Sequence, residues 1–213
     1  MRFARTVAAI AVAVAGISCS EAAQSASRVR TFSVLPVRAS FISVGALTST
    51  PYGWLDFCNR YESECEGGLT ASADFVLTDA SWRLIRDINA KVNAMIEPQS
   101  DLQHWGVVDR WDLPEDGYGD CEDYVLLKRK LLMAAGLPRQ ALLVTVVKDE
   151  KGEGHAVLTL KTDHGEFVMD NMRDRVRPWS EFPYRFVKRQ SQMDPNIWVQ
   201  IGDPTTAPLT VAR

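Results

Sequence analysis

The chain has 213 residues, 46% of them hydrophobic and 24% charged, with a formal net charge of -3. These are ordinary values for a soluble globular protein of one domain, and the slight acidic balance argues against a nucleic-acid binder, which needs a basic surface. Outside an N-terminal apolar run too short to cross a bilayer, no stretch is apolar for long enough to span a membrane.

The run from Met1 to Arg5 is basic, 6–17 is apolar and rich in Ala and Val, and 18–26 is made of small residues. This is the pattern of a secretory signal peptide over residues 1–26, with Ser20-Glu21-Ala22 suited to the peptidase. It predicts a periplasmic or secreted protein. Cys19 raises lipid attachment as an alternative, but Gly16 stands where a lipoprotein motif needs Leu. Residues 27–74 read as an N-terminal extension: a mixed, extended stretch over 27–50, a loop over 51–68 and a connector over 69–75. Cys58 and Cys65 lie seven residues apart in that loop. In an oxidising compartment they predict a disulfide. Cys121 is then left alone once Cys19 departs with the leader.

Thr78 opens an amphipathic helix whose apolar residues Trp82, Ile85, Ile88, Val92, Met95 and Ile96 recur at three-to-four spacing up to Pro98. Such a stripe is core packing, and it predicts contact with the next helix. Residues 99–119 form a long loop with Trp105, Trp111 and Pro114. It ends in Gly119-Asp120-Cys121-Glu122-Asp123-Tyr124, where Asp120 is a natural N-cap and Asp123 completes a capping box. Val125, Leu126, Leu131 and Leu132 continue a helix that Gly136 and Pro138 close. Beyond it, 141–147, 155–160 and 166–170 read as strands separated by polar turns, with further strands over 184–189 and 196–201 and a tail over 203–213. Helices first, then an antiparallel meander, give an α+β fold with the cysteine helix packed on the sheet.

A thiol at a helix N-terminus is favoured as thiolate by the helix dipole. The flanks Asp-Cys-Glu-Asp are too polar for an inert core cysteine, which is the alternative reading. A thiol nucleophile needs an imidazole and a group to orient it. Of His104, His155 and His164, His155 fits best, because it begins a strand beside a flexible turn. A meander turning at 162–165 brings Asp170 roughly opposite His155. The Cys121 N–H is a natural oxyanion donor, and the Trp111 indole N–H a second candidate.

Seven carboxylates, Asp109, Asp112, Glu115, Asp116, Asp120, Glu122 and Asp123, fall within fifteen residues. Half of this is explained by a solvated loop and by first-turn acids favouring the helix dipole. The rest poses a difficulty, because carboxylates beside a thiol oppose its ionisation. A hard cation such as calcium would offset them, with Asp120, Glu122 and Asp123 as part of its oxygen shell, although the spacing is not an EF-hand.

The segments Trp111-Asp112-Leu113-Pro114-Glu115, Gly119-Asp120-Cys121-Glu122-Asp123-Tyr124, Gly154-His155-Ala156-Val157 and Asp170-Asn171 together resemble the bacterial transglutaminase-like cysteine proteinase family, over about residues 75–202. The resemblance implies a papain/transglutaminase-like domain over 75–202 and a Cys121-His155-Asp170 triad. It also implies a calcium requirement, a protein substrate such as a large surface adhesin, and control by an inner-membrane cyclic-di-GMP receptor. The Cys58/Cys65 pair lies outside that region. The resulting expectation is an exported cysteine endopeptidase with no organic cofactor. Acyl transfer to an amine through the same thioester, as a transglutaminase or amidase, is the first alternative. A non-catalytic periplasmic binding protein of the same fold is the second.

Overall fold

The structure, a computed structural model, describes residues 35–202. The signal peptide expected over 1–26, Cys19 and the tail over 203–213 lie outside the described residues. Among those described, no helix is long and apolar enough to cross a membrane.

In chain order the elements are strand β1 (Leu47–Thr48), helix α1 (Tyr52–Arg60), helix α2 (Asp79–Met95), strand β2 (Glu97–Pro98), helix α3 (Asp101–His104), strand β3 (Tyr118–Gly119), helix α4 (Cys121–Ala134), and strands β4 (Leu142–Lys148), β5 (Gly154–Thr162), β6 (Gly165–Met169), β7 (Arg177–Pro178), β8 (Arg185–Gln190) and β9 (Trp198–Gln200). The main sheet has the order β1-β9-β8-β4-β5-β6-β7, and every pairing in it is antiparallel. The expected meander is its centre. The fold is α+β.

The strands alternate. Val144, Val146, Ala156, Leu158 and Leu160 join the core that holds Ile85, Val92, Val125 and Leu132 of the helices. Val147, Val157 and Val168 join a second cluster with Ile42, Phe182 and Tyr184. The central strands are therefore buried on both faces, which is why they read as unbroken apolar runs. Thr78 caps α2 as expected, with its Oγ1 accepting the Ser81 N–H at 3.1 Å and its own N–H donating to Ser81 Oγ at 2.9 Å. The apolar stripe of α2 packs beside α4 in the first core.

Residues 51–68 differ from the loop expected. Most of them form α1 and a single 3-10 turn at Glu62–Glu64. Helix propensity in this short polar stretch is weak; burial of Trp54 and Phe57 in the first core drives it. Cys58 and Cys65 are joined by a disulfide. The segment is tied to the main sheet. β1 pairs with β9, and the Ile42 N–H donates to the buried Glu166 at 3.2 Å.

Candidate active site

The N-terminus of α4 is fixed by the chain that leads into it. β2 and β3 pair in parallel, Pro98 against Gly119, and the Gln99 N–H donates to the Gly119 carbonyl at 3.0 Å. Asp123 folds back as the capping box requires: its Oδ2 accepts the Asp120 N–H at 3.1 Å, and its Oδ1 accepts the Asp112 N–H at 2.7 Å. A Cβ on Gly119 would stand 2.8 Å from the Asp123 Cβ, so only glycine lets the carboxylate close over this turn. Asp120 Oδ2 in turn accepts the Asp101 N–H at 3.3 Å.

The acids on this turn are not a solvated face. Asp120, Glu122 and Asp123 are 5%, 0% and 2% exposed, and Cys121 is 2% exposed. The part of the cluster expected to face water is thus narrower than the sequence suggests. Asp120 and Asp123 accept the Asp101 and Asp112 N–H groups of the 99–119 chain, which a reading of local charge does not register.

Across from this turn, His155 is the second residue of β5 and pairs with Val147. The β5–β6 register ends at Leu158 against Met169. One residue further on, Asp170 lies diagonal to His155 rather than directly opposite. His155 Nε2 and Asp170 Oδ1 are 2.9 Å apart, both side chains fully buried. Asp170 Oδ1 also accepts the Met172 N–H at 3.0 Å, and Oδ2 accepts the Tyr184 hydroxyl at 2.7 Å. Burial pushes the Asp170 carboxyl up, but the hydrogen bond from His155, its charge and the Tyr184 hydroxyl more than offset that and hold it below the usual range. The other ring nitrogen, His155 Nδ1, is buried without a hydrogen-bond partner among the described residues.

Cys121 and His155 line one cleft of about 520 Å³, together with Pro98, Gln99, Gln103, Asp120, Asn171 and Met172. The Ala156 backbone N–H points at the Cys121 sulfur. His104 and His164 do not line this cleft. His104 pairs with Asp116 at 2.8 Å, and the His164 N–H caps the turn at Thr162.

The thiol donates to Glu122 Oε2 at 3.1 Å. Burial first, then Glu122 and Asp120, push its pKa well above the ordinary thiol value, so the helix dipole alone does not make a thiolate here. The acids suffer in the same way. Burial and each other's charge hold Glu122 and Asp123 well above the usual carboxylate range, and burial raises Asp101 to about 6. Asp101, Asp120 and Asp123, all buried, bring carboxylate oxygens within 4.8 Å of one another. Asp120, Cys121 and Glu122 form a second such group, and Asp101, Asp109 and Glu122 a third. The three acids expected as cation ligands are therefore neighbours, but no single group holds all three, and Asp101 and Asp109 complete the set. Neither is marked by a motif. A short helix at Asp101–His104 and the turn after it bring them in.

The Trp111 indole N–H is directed elsewhere than to an oxyanion. It donates to Asp109 Oδ1 at 2.9 Å, and the ring lies fully buried against Gly53, where an added Cβ would come within 2.2 Å of it. Trp111 is a packing residue that fixes Asp109. Tyr184, which seats Asp170, carries no sequence signal, because its partner lies fourteen residues away across a loop.

A cysteine at a helix start, packed on an antiparallel sheet whose adjoining strand carries a carboxylate-bound histidine near its start, defines a thiol enzyme of the papain/transglutaminase-like class. The family model described as bacterial transglutaminase-like cysteine proteinase BTLCP matches residues 44–206, and the chain belongs to that family. It is a cysteine peptidase. The match starts upstream of the 75–202 stretch expected from the motifs and takes in the disulfide segment. No curated protein matches. Among solved structures, Legionella pneumophila LapG is similar at 22% identity over 58% of this chain and 70% of that one, with a TM-score of 0.47. Its EGTA-treated form gives 19%, 60%, 70% and 0.46, and its calcium-bound form 21%, 61%, 83% and 0.45.

Proposed function

We propose that this peptidase is exported and hydrolyses a peptide bond of a protein substrate through Cys121, His155 and Asp170. The observation that carries the reading is the cleft that holds Cys121 and His155 together, with His155 Nε2 already bound to Asp170 and Nδ1 left over. In this reaction Nδ1 accepts the thiol proton. The thiolate attacks the carbonyl carbon, and the imidazolium returns its proton to the departing amine as the C–N bond breaks. Water, deprotonated at Nδ1, then cleaves the thioester to release the acid and restore the thiol. The Cys121 N–H, at the start of α4, serves the oxyanion. Asp170 and Tyr184 keep the ring in the tautomer that leaves Nδ1 toward the sulfur.

The acids fit a hard cation, calcium by the family resemblance. They are buried, mutually repelling and oxygen-only, and their raised pKa values report charge that the protein itself does not offset. Asp101, Asp120 and Asp123 would hold it, with Glu122 and Asp109 beside them. When bound it supplies positive charge that keeps these carboxylates ionised. With its charge offset, Glu122 would be a weaker base and would compete less with His155 for the Cys121 proton.

The resemblance extends the substrate to a large surface adhesin and the control to an inner-membrane receptor, with export by residues 1–26. By the same reading, residues 75–202 carry the catalytic chemistry and 27–74 brace it. The test is an incubation of the purified protein with a solubilised envelope fraction and dansylcadaverine. New substrate N-termini that vanish with Cys121→Ala support hydrolysis. Incorporated amine without new N-termini would replace it with acyl transfer.

A further inference from the structure

Arg60 is the last residue of α1, the helix that also carries Cys58 of the disulfide. Its guanidinium closes on two consecutive residues of the chain that leads to α4. Nη1 donates to Asp112 Oδ2 at 3.0 Å, and Nη2 donates to the Trp111 carbonyl at 2.5 Å. Asp56, one turn back on α1, accepts from Nε at 3.0 Å and holds the fork from behind. The Tyr61 hydroxyl donates to the other oxygen, Asp112 Oδ1. Arg110 Nε adds a bond to Oδ2 at 3.2 Å, and the Leu113 N–H one to Oδ1 at 2.9 Å.

Each oxygen of Asp112 thus accepts two donors, which uses the lone pairs a carboxylate would otherwise offer a cation. What Asp112 contributes to the acid cluster is its backbone. The Asp112 N–H donates to Asp123 Oδ1 at 2.7 Å, and the Asp120 N–H donates to Asp123 Oδ2 at 3.1 Å. One N–H on each oxygen sets the plane of the Asp123 carboxylate and leaves a second lone pair on each for an ion. The neighbouring Trp111 bonds Asp109 at 2.9 Å through its indole N–H, with its ring against Gly53 of α1. Asp123 belongs to one of the carboxylate groups able to hold a cation and Asp109 to another. α1 therefore reaches both groups, through residues 111 and 112.

We propose that Arg60 is a positioning residue of the cation site: by clamping the Trp111 carbonyl and the Asp112 carboxylate, it keeps the Asp112 N–H on Asp123 and so presets that carboxylate for the ion. The inference deepens the calcium reading and rests on it. It makes the disulfide-bearing segment part of the machinery that shapes the metal site. A purely electrostatic role would have the opposite sign. A guanidinium near a bound cation repels it, so loss of the charge alone would tighten binding. Loss of positioning loosens it, because groups that orient metal ligands typically contribute about 10–100-fold in affinity.

The test is a calorimetric titration of calcium chloride into the purified full chain, stripped of metal with EGTA and then freed of the chelator, with the melting curve of each metal-free protein measured alongside. Arg60→Met is expected to stay folded and to weaken the calcium Kd by about tenfold or more. An arginine that only stabilises α1 would lower the metal-free melting temperature and leave the Kd within about twofold of the wild type. That result, or tighter binding by Arg60→Met, would overturn the inference and leave the calcium reading standing. No calcium binding by the wild type would remove the calcium reading, and the inference with it. If Arg60→Met has no melting transition, Arg60→Lys, which keeps the charge but not the planar fork, is titrated under the same criteria.

Discussion

At the Asp170 corner of the cleft every carboxylate oxygen has a donor: His155 and the Met172 N–H on one, the Tyr184 hydroxyl on the other. At the start of α4 the acids instead crowd one another. Asp123 is met by two backbone N–H groups, but burial and the charges of Asp120 and Asp101 still hold its carboxyl well above the usual range. The first corner is electrostatically complete as folded, and burial there lowers no function. The second carries like charges in a buried turn, and together with burial they act on the thiol, whose proton is directed to Glu122. The contrast teaches that burial by itself says little about a catalytic acid. At Asp170 the donors outweigh burial, whereas at Asp123 burial and the neighbouring carboxylates outweigh the donors.

The largest effect should come from removing the chemistry that joins the corners. Cys121→Ala and His155→Ala are each expected to lose on the order of 10³-fold or more in kcat while keeping the melting curve. Peptide-bond cleavage at the wild-type rate by either variant would end the triad reading. Asp170→Asn attacks the complete corner only. It is expected to cost roughly 10²-fold in kcat, since it disturbs the orientation of a general base that still exists.

The incomplete corner should respond to the cation and to pH. Calcium at a hundredfold excess over its Kd should stabilise the fold by about 2.7 kcal/mol, and chelation should abolish activity. Full activity in excess EGTA would remove calcium from the mechanism. Without the cation, raised carboxyl pKa values mean that the folded state holds protons which the unfolded state has released. Asp101, raised to about 6 from an ordinary 3.8, therefore contributes stability that is present below about pH 4 and is lost as pH rises through about 6. Melting temperatures followed from pH 4 to 7 should show this loss in EGTA and a smaller one in calcium.

The smallest catalytic effect is expected at the disulfide, which lies in neither corner. Replacing Cys58 and Cys65 by Ser should cost about 2–3 kcal/mol of stability by freeing a short loop in the unfolded chain, with kcat within about twofold. A larger loss of kcat would show that the segment shapes the cleft. A physical route exists: Arg60 bonds Asp112 at 3.0 Å, the Tyr61 hydroxyl also bonds Asp112, and the Asp112 N–H donates to Asp123.

Periodicity and capping made α2, α4 and the β4–β5–β6 meander legible, because each depends on neighbours a few residues away. The same locality picked out Cys121 at a helix start, and it placed His155 and Asp170 near one another to within a diagonal of the register. α1 escaped because tertiary burial of Trp54 and Phe57 stabilises it, not its own propensity. Trp111 was misplaced as an oxyanion candidate because a sequence shows that an indole N–H exists but not which acceptor reaches it. Asp109 does.

What the sequence by itself determined is therefore the α+β order, the capped helix that begins at Cys121, and the candidates His155 and Asp170 for base and orienting acid. Only the tertiary structure decided that the acids of the first turn are buried, that Asp101 joins Asp120 and Asp123, that Tyr184 seats Asp170, and that the thiol proton goes to Glu122. The reason is physical. Helix caps and strand alternation are set by contacts within a turn or two, whereas burial, and with it the pKa of every group in this cleft, is set by whatever distant chain closes over it.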